Sequence, residues 1–381
     1  MNTPKPASTS GKQTDADLRG DCNSQSDECD VYIAGTASVF PPPLAARHVA
    51  NKFYPAHLCS ARTNALAQRV TANFGIEERP VCIDLERIPE RVLVNESHHP
   101  LSWCVSLIQT LLKIVPASEV GYVGVAYNTS LHTNNLPNLA CQAAIRSGIA
   151  PAIAPEEFAN YGCAGGFYPL ESAIQYCKRN DKAAVALVFD QCTSRASFCY
   201  DPNHAMFKMD LKINLLFSDG AAAVLVIPQR MRAAVSGVLP KVKDLSMAFS
   251  LSDMIRFEDT RFVLGDQVRE KVPQLVADSV IKPLLSKNGI RAEEVAEWSI
   301  HQGSKDILGR FSEQSILGLS ERQLARSRLL FERLGNMSAA SCFQVLHSFC
   351  SEPNTEKRGT LGMAVGFGAG FYKASVLYQW E

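Results

Sequence analysis

Short apolar runs alternating with stretches of helical periodicity predict an α/β protein. Runs such as Gly121–Tyr127, Ala183–Phe189 and Ala221–Ile227 fit strands of roughly four to eight residues, and turn signals bound them. Between such runs the period changes: Phe167, Leu170, Ala173, Ile174 and Cys177 recur at three- and four-residue spacing, one face of a helix. The 381 residues suffice for two domains or one large duplicated one with a sizeable core. Strands that alternate with helices imply a sheet with parallel pairing, buried on both faces.

Taken in order, residues 1–30 are rich in Ser, Thr, Asp, Asn, Lys and Gln and read as a flexible tail. Val31–Thr36 is a first buried strand, followed by a loop through Pro41-Pro42-Pro43. Helices are expected around Ser60–Phe74, Trp103–Val115, Cys163–Cys177, Gln267–Asn288 and Met337–Cys350. Further strands are expected at Glu297–Ile300 and Thr360–Val365.

Thirty-eight basic residues balance thirty-eight acidic ones, so neither a nucleic-acid footprint nor a polybasic membrane patch is expected, and small molecules or proteins are the expected partners. No apolar run approaches the roughly 20 residues of a membrane helix, and an apolar signal core is absent at the N-terminus, so a soluble, cytoplasmic protein is expected. The twelve cysteines show no CxxC pairing and are expected to be mostly small core residues of a reducing compartment, without a metal site.

Cys163 stands apart. It opens the helical pattern within Asn160-Tyr-Gly-Cys-Ala-Gly-Gly-Phe167, where unpaired helix N–H groups favour a thiolate and small neighbours admit a substrate carbonyl. The plainer reading is a buried cysteine beside a glycine-rich turn. Two other stretches place polar or glycine residues directly after a buried strand, where ligands gather in α/β sheets: Ser299-Ile-His-Gln-Gly-Ser304 and Leu334-Gly-Asn-Met-Ser-Ala-Ala-Ser341. Singly, His301 reads as a structural histidine and Asn336 as a turn residue. Together with Cys163 they form a trio suited to covalent acyl transfer, with sulfur taking the acyl group and the other two stabilising the charge that follows. Papain-like proteases share the order Cys, His, Asn, but their CG[SA]C[WY] signature is absent.

A run of ordered motifs carries a more specific resemblance. Gly75-Ile-Glu-Glu-Arg79, Cys163-Ala-Gly-Gly-Phe167, Phe217-Ser-Asp-Gly-Ala-Ala-Ala223, His301-Gln302, Gly335-Asn-Met-Ser-Ala-Ala-Ser341 and Gly366-Phe-Gly-Ala-Gly-Phe371 resemble, in order, the GIxxR, CxGF, FGDGAGA, HQAN, GNTSAAS and GFGxG motifs of the β-ketoacyl-acyl-carrier-protein synthase III family of the thiolase superfamily. The Gly366–Gly370 run does not have the GxGxxG spacing of a dinucleotide loop. The resemblance implies a five-layered α-β-α-β-α fold of two similar βαβαβαββ halves, residues 31–229 carrying the nucleophile and 230–381 carrying the histidine and asparagine. It also implies a homodimer that needs no cofactor or metal and takes acyl-CoA or acyl-carrier-protein thioesters together with a malonyl-type thioester.

In that family pattern Cys163 is acylated, and His301 and Asn336 stabilise the enolate left by decarboxylation. The backbone N–H groups of Cys163 and of the Gly368-Ala369 turn form the oxyanion hole. Leu136 (from the dimer partner) and Phe167 are the acyl-pocket residues, and Lys305 and Arg310 face the carrier. The chain departs from the pattern where Arg69 replaces the CoA-facing tryptophan, where only Lys212 stands near the expected arginine, and where Lys305-Asp306 follows the HQ motif. These departures point to specialised or polyketide metabolism rather than initiation of fatty acid biosynthesis. The competing readings are a thiolase-fold acyltransferase that passes the acyl group to an alcohol or amine without decarboxylation, and a structural subunit of a heteromeric synthase.

Overall fold

The computed structural model describes residues 29–131, 136–258, 261–265, 267–353 and 355–381, so all but the last two residues of the expected tail lie outside the described residues. The elements run β1 (Val31–Val39), α1 (Ala46–Phe53), α2 (Ala61–Phe74), α3 (Pro100–Leu111), β2 (Val120–Tyr127), α4 (Leu139–Arg146), β3 (Glu156–Ala159), α5 (Phe167–Arg179), β4 (Ala183–Gln191), α6 (Phe207–Leu216) and β5 (Asp219–Pro228). They continue as β6 (Pro240–Ala248), α7 (Val268–Val276), α8 (Lys282–Lys287), β7 (Val295–Ile300), α9 (Lys305–Arg310), α10 (Glu321–Leu334), α11 (Ser341–Cys350), β8 (Leu361–Phe367) and β9 (Lys373–Trp380).

A nine-stranded sheet has the order β7-β8-β9-β6-β1-β5-β4-β2-β3. From β1 outward, β5 and β4 join by antiparallel ladders, then β2 and β3 by parallel ones. From β6 outward, β9 and β8 again join antiparallel and β7 parallel. One strand pattern is thus used twice. The two runs meet at a single bridge, Tyr32 opposite Lys241. The expected parallel pairing therefore holds only at the outer strands. β9 returns antiparallel to β8, because the short connection Gly368–Tyr372 permits a hairpin return but no crossover, whereas β5 returns antiparallel to β4 after a longer connection that carries α6.

Three cores stack through this architecture. One lies between α1, α3, α4 and α6 and the outer face of β1–β5, and one between α7, α8, α9 and α10 and the outer face of β6–β9. The central core encloses α5 and α11, whose Phe167 and Phe343 rings meet at 5.1 Å. These are the five layers α-β-α-β-α of the thiolase fold. Both central helices are entered through a one-turn 3-10 segment, Gly162–Ala164 before α5 and Ser338–Ala340 before α11. The duplication thus sets two helix entrances side by side.

Candidate active site

Cys163 lies in the 3-10 turn before α5, one turn earlier than the helix itself. Gly162 has φ of +59°, and a Cβ there would stand 2.3 Å from the Ala369 amide nitrogen; one on Gly368 would stand 2.1 Å from the Cys163 nitrogen. Only glycines let these two turns press together, which brings the Cys163 and Ala369 amides to one wall beside the sulfur.

Asn336 comes from the other half, where its stretch follows the helix α10 and not the buried strand expected there. Its backbone is tied to the end of α6, with Asn336 N donating to Leu216 O at 3.2 Å and Ser218 N donating to Asn336 O at 2.8 Å. Its Oδ1 accepts from Ser338 N at 2.8 Å, which fixes the amide so that Nδ2 points toward Gly303 O at 3.3 Å. His301 follows β7, with its backbone N on Val365 O at 2.9 Å and its ring edge-on to Phe367 at 5.0 Å. The fold therefore brings Cys163, His301 and Asn336 to the lining of one cavity of about 360 Å³.

Cys163 also lines a second cavity, of about 120 Å³, bounded by Asn128, Cys192, Ile213, Phe217 and Phe262 among others. The larger cavity leads past Lys212 and Lys305 to a charged groove, with which it shares Arg269, Lys305 and Asp306. The edge-on Phe217–Phe262 pair, 5.4 Å apart, borders both.

The electrostatics revise the expected thiolate. The Cys163 side chain is open to the cavities but closely surrounded by protein, and burial pushes its thiol up to about 12 against the opposing hydrogen bond from Ser338, whose Oγ lies 3.5 Å from Sγ. The helix proper starts four residues later at Phe167, and the helix-terminus field falls off within a turn, so desolvation wins. Burial likewise pushes the His301 imidazole down to about 3. The resting pair is a neutral thiol and a neutral imidazole, which suits His301 to donate a hydrogen bond rather than to balance a thiolate.

The other expected site residues separate. Phe167 is fully buried against Phe343 and lines neither cavity; it is packing between the central helices, not acyl pocket. Leu136 is 96 % exposed and is absent from both cavity walls of its own chain. Lys305 lines the cavity mouth. Arg310 lies in the charged groove, paired with Glu313 at 2.8 Å and bonded to Glu270 O at 2.9 Å. Sequence reasoning missed Asn128, Asp190 and Ser338 as site residues. Ser338 lay inside a quoted motif, and Asp190 was visible as an acid closing an apolar strand. Among the described residues no cluster of three or more His, Cys, Asp or Glu side chains could hold a metal, and no helix is long and apolar enough to cross a membrane.

Fold and site together resemble those of thiolase-fold condensing enzymes. Residues 285–380 match the family model described as 3-Oxoacyl-[acyl-carrier-protein (ACP)] synthase III C terminal. Among curated proteins the chain is similar to the alpha-pyrone synthesis polyketide synthase-like Pks18 of Mycobacterium tuberculosis, 24% identical over 296 residues, covering 74% of this chain and 71% of that protein. It is similar to a 3,5-dihydroxyphenylacetyl-CoA synthase of Amycolatopsis orientalis, 26% identical over 254 residues, covering 64% of this chain and 65% of that protein. Among solved structures, the 1,3,6,8-tetrahydroxynaphthalene synthase of Streptomyces coelicolor, a bacterial type III polyketide synthase, superposes with a TM-score of 0.74 at 20% identity, over 92% of this chain and 99% of that one.

Proposed function

We propose that the chain is a decarboxylating condensing enzyme: Cys163 takes an acyl group from a thioester, and a malonyl-type thioester bound at His301 and Asn336 then loses carbon dioxide and attacks it. The observation that carries this reading is the placement of Cys163 where two cavities meet, with His301 and Asn336 lining only the one that opens to the charged groove. An acyl chain on sulfur has the smaller, largely apolar cavity to occupy, while the extender thioester lies toward the mouth. Lys212, Lys305 and Arg269 at that mouth suit the phosphates of a CoA or carrier-protein arm.

Decarboxylation breaks the bond between carboxylate and Cα and leaves its electron pair in an enolate. The enolate oxygen needs donors in place beforehand. The neutral His301 ring and Asn336 Nδ2 supply them, and one such donor is worth about 3 to 4 kcal/mol. The enolate carbon then attacks the acyl-Cys163 carbonyl. The Cys163 and Ala369 amides hold the resulting oxyanion, and sulfur leaves as the new carbon–carbon bond is kept. This chemistry is carried by side chains and substrates alone, which is an acyltransferase in the wider sense and needs no resident cofactor. The names of the similar proteins favour a polyketide-type product, and a homodimer would put Leu136 within reach of a partner's pocket.

The test is Asn336→Ala, assayed by acyl-enzyme mass across a panel of acyl thioesters and by ¹⁴CO₂ release from labelled malonyl thioester. Self-acylation is expected to survive, while carbon dioxide release and product fall roughly a hundredfold to a thousandfold. Release and product at the parent rate would make simple acyl transfer to an alcohol or amine the better account.

A further inference from the structure

Cys163 and Asn336 stand on two turns, one from each half of the molecule, and catalysis needs those turns held in register. Asp190, at the end of β4, is fully buried and lies between them. Its Oδ1 accepts from Asn128 N at 2.8 Å, Thr129 N at 2.8 Å and Thr129 Oγ1 at 2.9 Å. Its Oδ2 accepts from Asn128 Nδ2 at 3.0 Å and from Ala339 N at 3.0 Å.

These partners reach both turns. Asn128 Nδ2 also donates to Gly162 O at 3.0 Å, the residue before the nucleophile, and lies 3.4 Å from Ser338 Oγ, which in turn lies 3.5 Å from Cys163 Sγ. Ala339 belongs to the 3-10 turn that Asn336 leads into, and Asn336 Oδ1 is anchored on the Ser338 amide of that same turn. We infer that Asp190 is the positioning residue for condensation, its carboxylate fixing the Cys163 turn of one half against the Asn336 turn of the other. The inference rests on the condensing reading.

Among the described residues it hydrogen-bonds no cation, only amides and the hydroxyls of Thr129 and Ser338. Burial holds its carboxyl above the ordinary carboxylate range, against the lowering pull of these donors. A purely stabilising acid would be costly in such a place, because a buried charge must be fully hydrogen-bonded to be tolerated. The arrangement gains something that an apolar contact would not give: both carboxylate oxygens are directional acceptors, and each of the two turns hangs from Oδ2, directly or through Asn128. An amide in the same shape keeps the Oδ1 contacts but presents an NH₂ to Ala339 N–H and Asn128 NH₂, so the link between the halves is the part that fails.

The experiment uses Asp190→Asn in the full chain, with self-acylation followed by intact mass and with ¹⁴CO₂ counted per carbon–carbon bond formed. The expected result is product formation down about a hundredfold per folded molecule, the cost of a misplacement on the order of 1 Å, with more carbon dioxide released per bond than in the parent, as enolates form out of reach of the acyl group. A lowered melting temperature with an unchanged ratio and unchanged turnover per folded molecule overturns the inference. Should Asp190→Asn not fold, Asn128→Ala keeps the Asp190 carboxylate and its bond to Ala339 N but removes the side-chain bridge from Oδ2 to Gly162 O and Ser338 Oγ, and is expected to raise the same ratio; an unchanged ratio there overturns the inference too. If the parent self-acylates but never releases carbon dioxide, the condensing reading falls on its own. Asn128→Ala then decides the positioning claim by self-acylation alone: about tenfold slower supports it, and the parent rate overturns it.

Discussion

At the scale of single residues, the site departs from the familiar cysteine–histidine ion pair because desolvation outweighs the helix-terminus field. Cys163 is pushed up to about 12, so the thiolate fraction is small at neutral pH and rises about tenfold per pH unit until that value is approached. Iodoacetamide alkylation of Cys163, mapped by peptide mass, is expected to accelerate steadily from pH 7 to pH 10; a plateau below pH 8 would reveal an ion pair instead. The acyl adduct itself is expected on Cys163 and not on Cys177 or Cys342, both buried. His301 gives the complementary sign. Its folded value of about 3 lies below the ordinary 6.5, so the unfolded chain binds the extra proton first. Its contribution to stability is complete above about pH 6.5 and is lost as pH falls toward 3. His301→Gln is expected to flatten that part of the melting-temperature profile, as measured by calorimetry between pH 7 and 4.

At the scale of elements, two glycines separated by one residue, Gly366 in the last part of β8 and Gly368 just after it, have opposite meanings. A Cβ on Gly366 meets the Phe167 ring at 2.4 Å, a side chain in the central layer, whereas one on Gly368 meets the backbone nitrogen of Cys163 at 2.1 Å. Gly366→Ala is therefore expected to cost about 1 to 3 kcal/mol of stability by overpacking and to keep turnover per folded molecule close to the parent's. Gly368→Ala should push the oxyanion wall away from the nucleophile and lower turnover about a hundredfold or more. Steady-state rates and denaturant melts on the two variants separate these outcomes, and equal effects on rate would remove the oxyanion role from the Ala369 turn. The elements were unequally legible in sequence. The strand expected at Ala183–Phe189 and the helix at Ala61–Phe74 announced themselves, the first by an unbroken apolar run and the second by Ser60, whose side chain caps Thr63 N, and by Gly75 in the left-handed conformation. β6 did not, because Pro240–Ala248 carries three charged residues among partly exposed positions and is held by the β9 ladder.

At the scale of the whole molecule, the site exists because two halves with the same strand pattern face each other across α5 and α11. The composition of residues 1–28 cannot build a core, and the described chain is already anchored at Asp30, which pairs with Lys241 at 2.6 Å. Deleting residues 1–28 is accordingly expected to leave melting temperature and saturating turnover unchanged; a folded but inactive truncation would assign the segment a role in the site. The sequence by itself determined the α/β class, the ordered motifs and the three candidate side chains, because periodicity and residue chemistry are local properties. Which of the quoted residues share a cavity was decided only by tertiary structure. Phe167 turned inward to Phe343, and Asp190 became a hub between the two turns. Protonation states belong to the same level, since burial of Cys163 and His301 is set by chain segments far apart in sequence, and no local pattern encodes how much water they exclude.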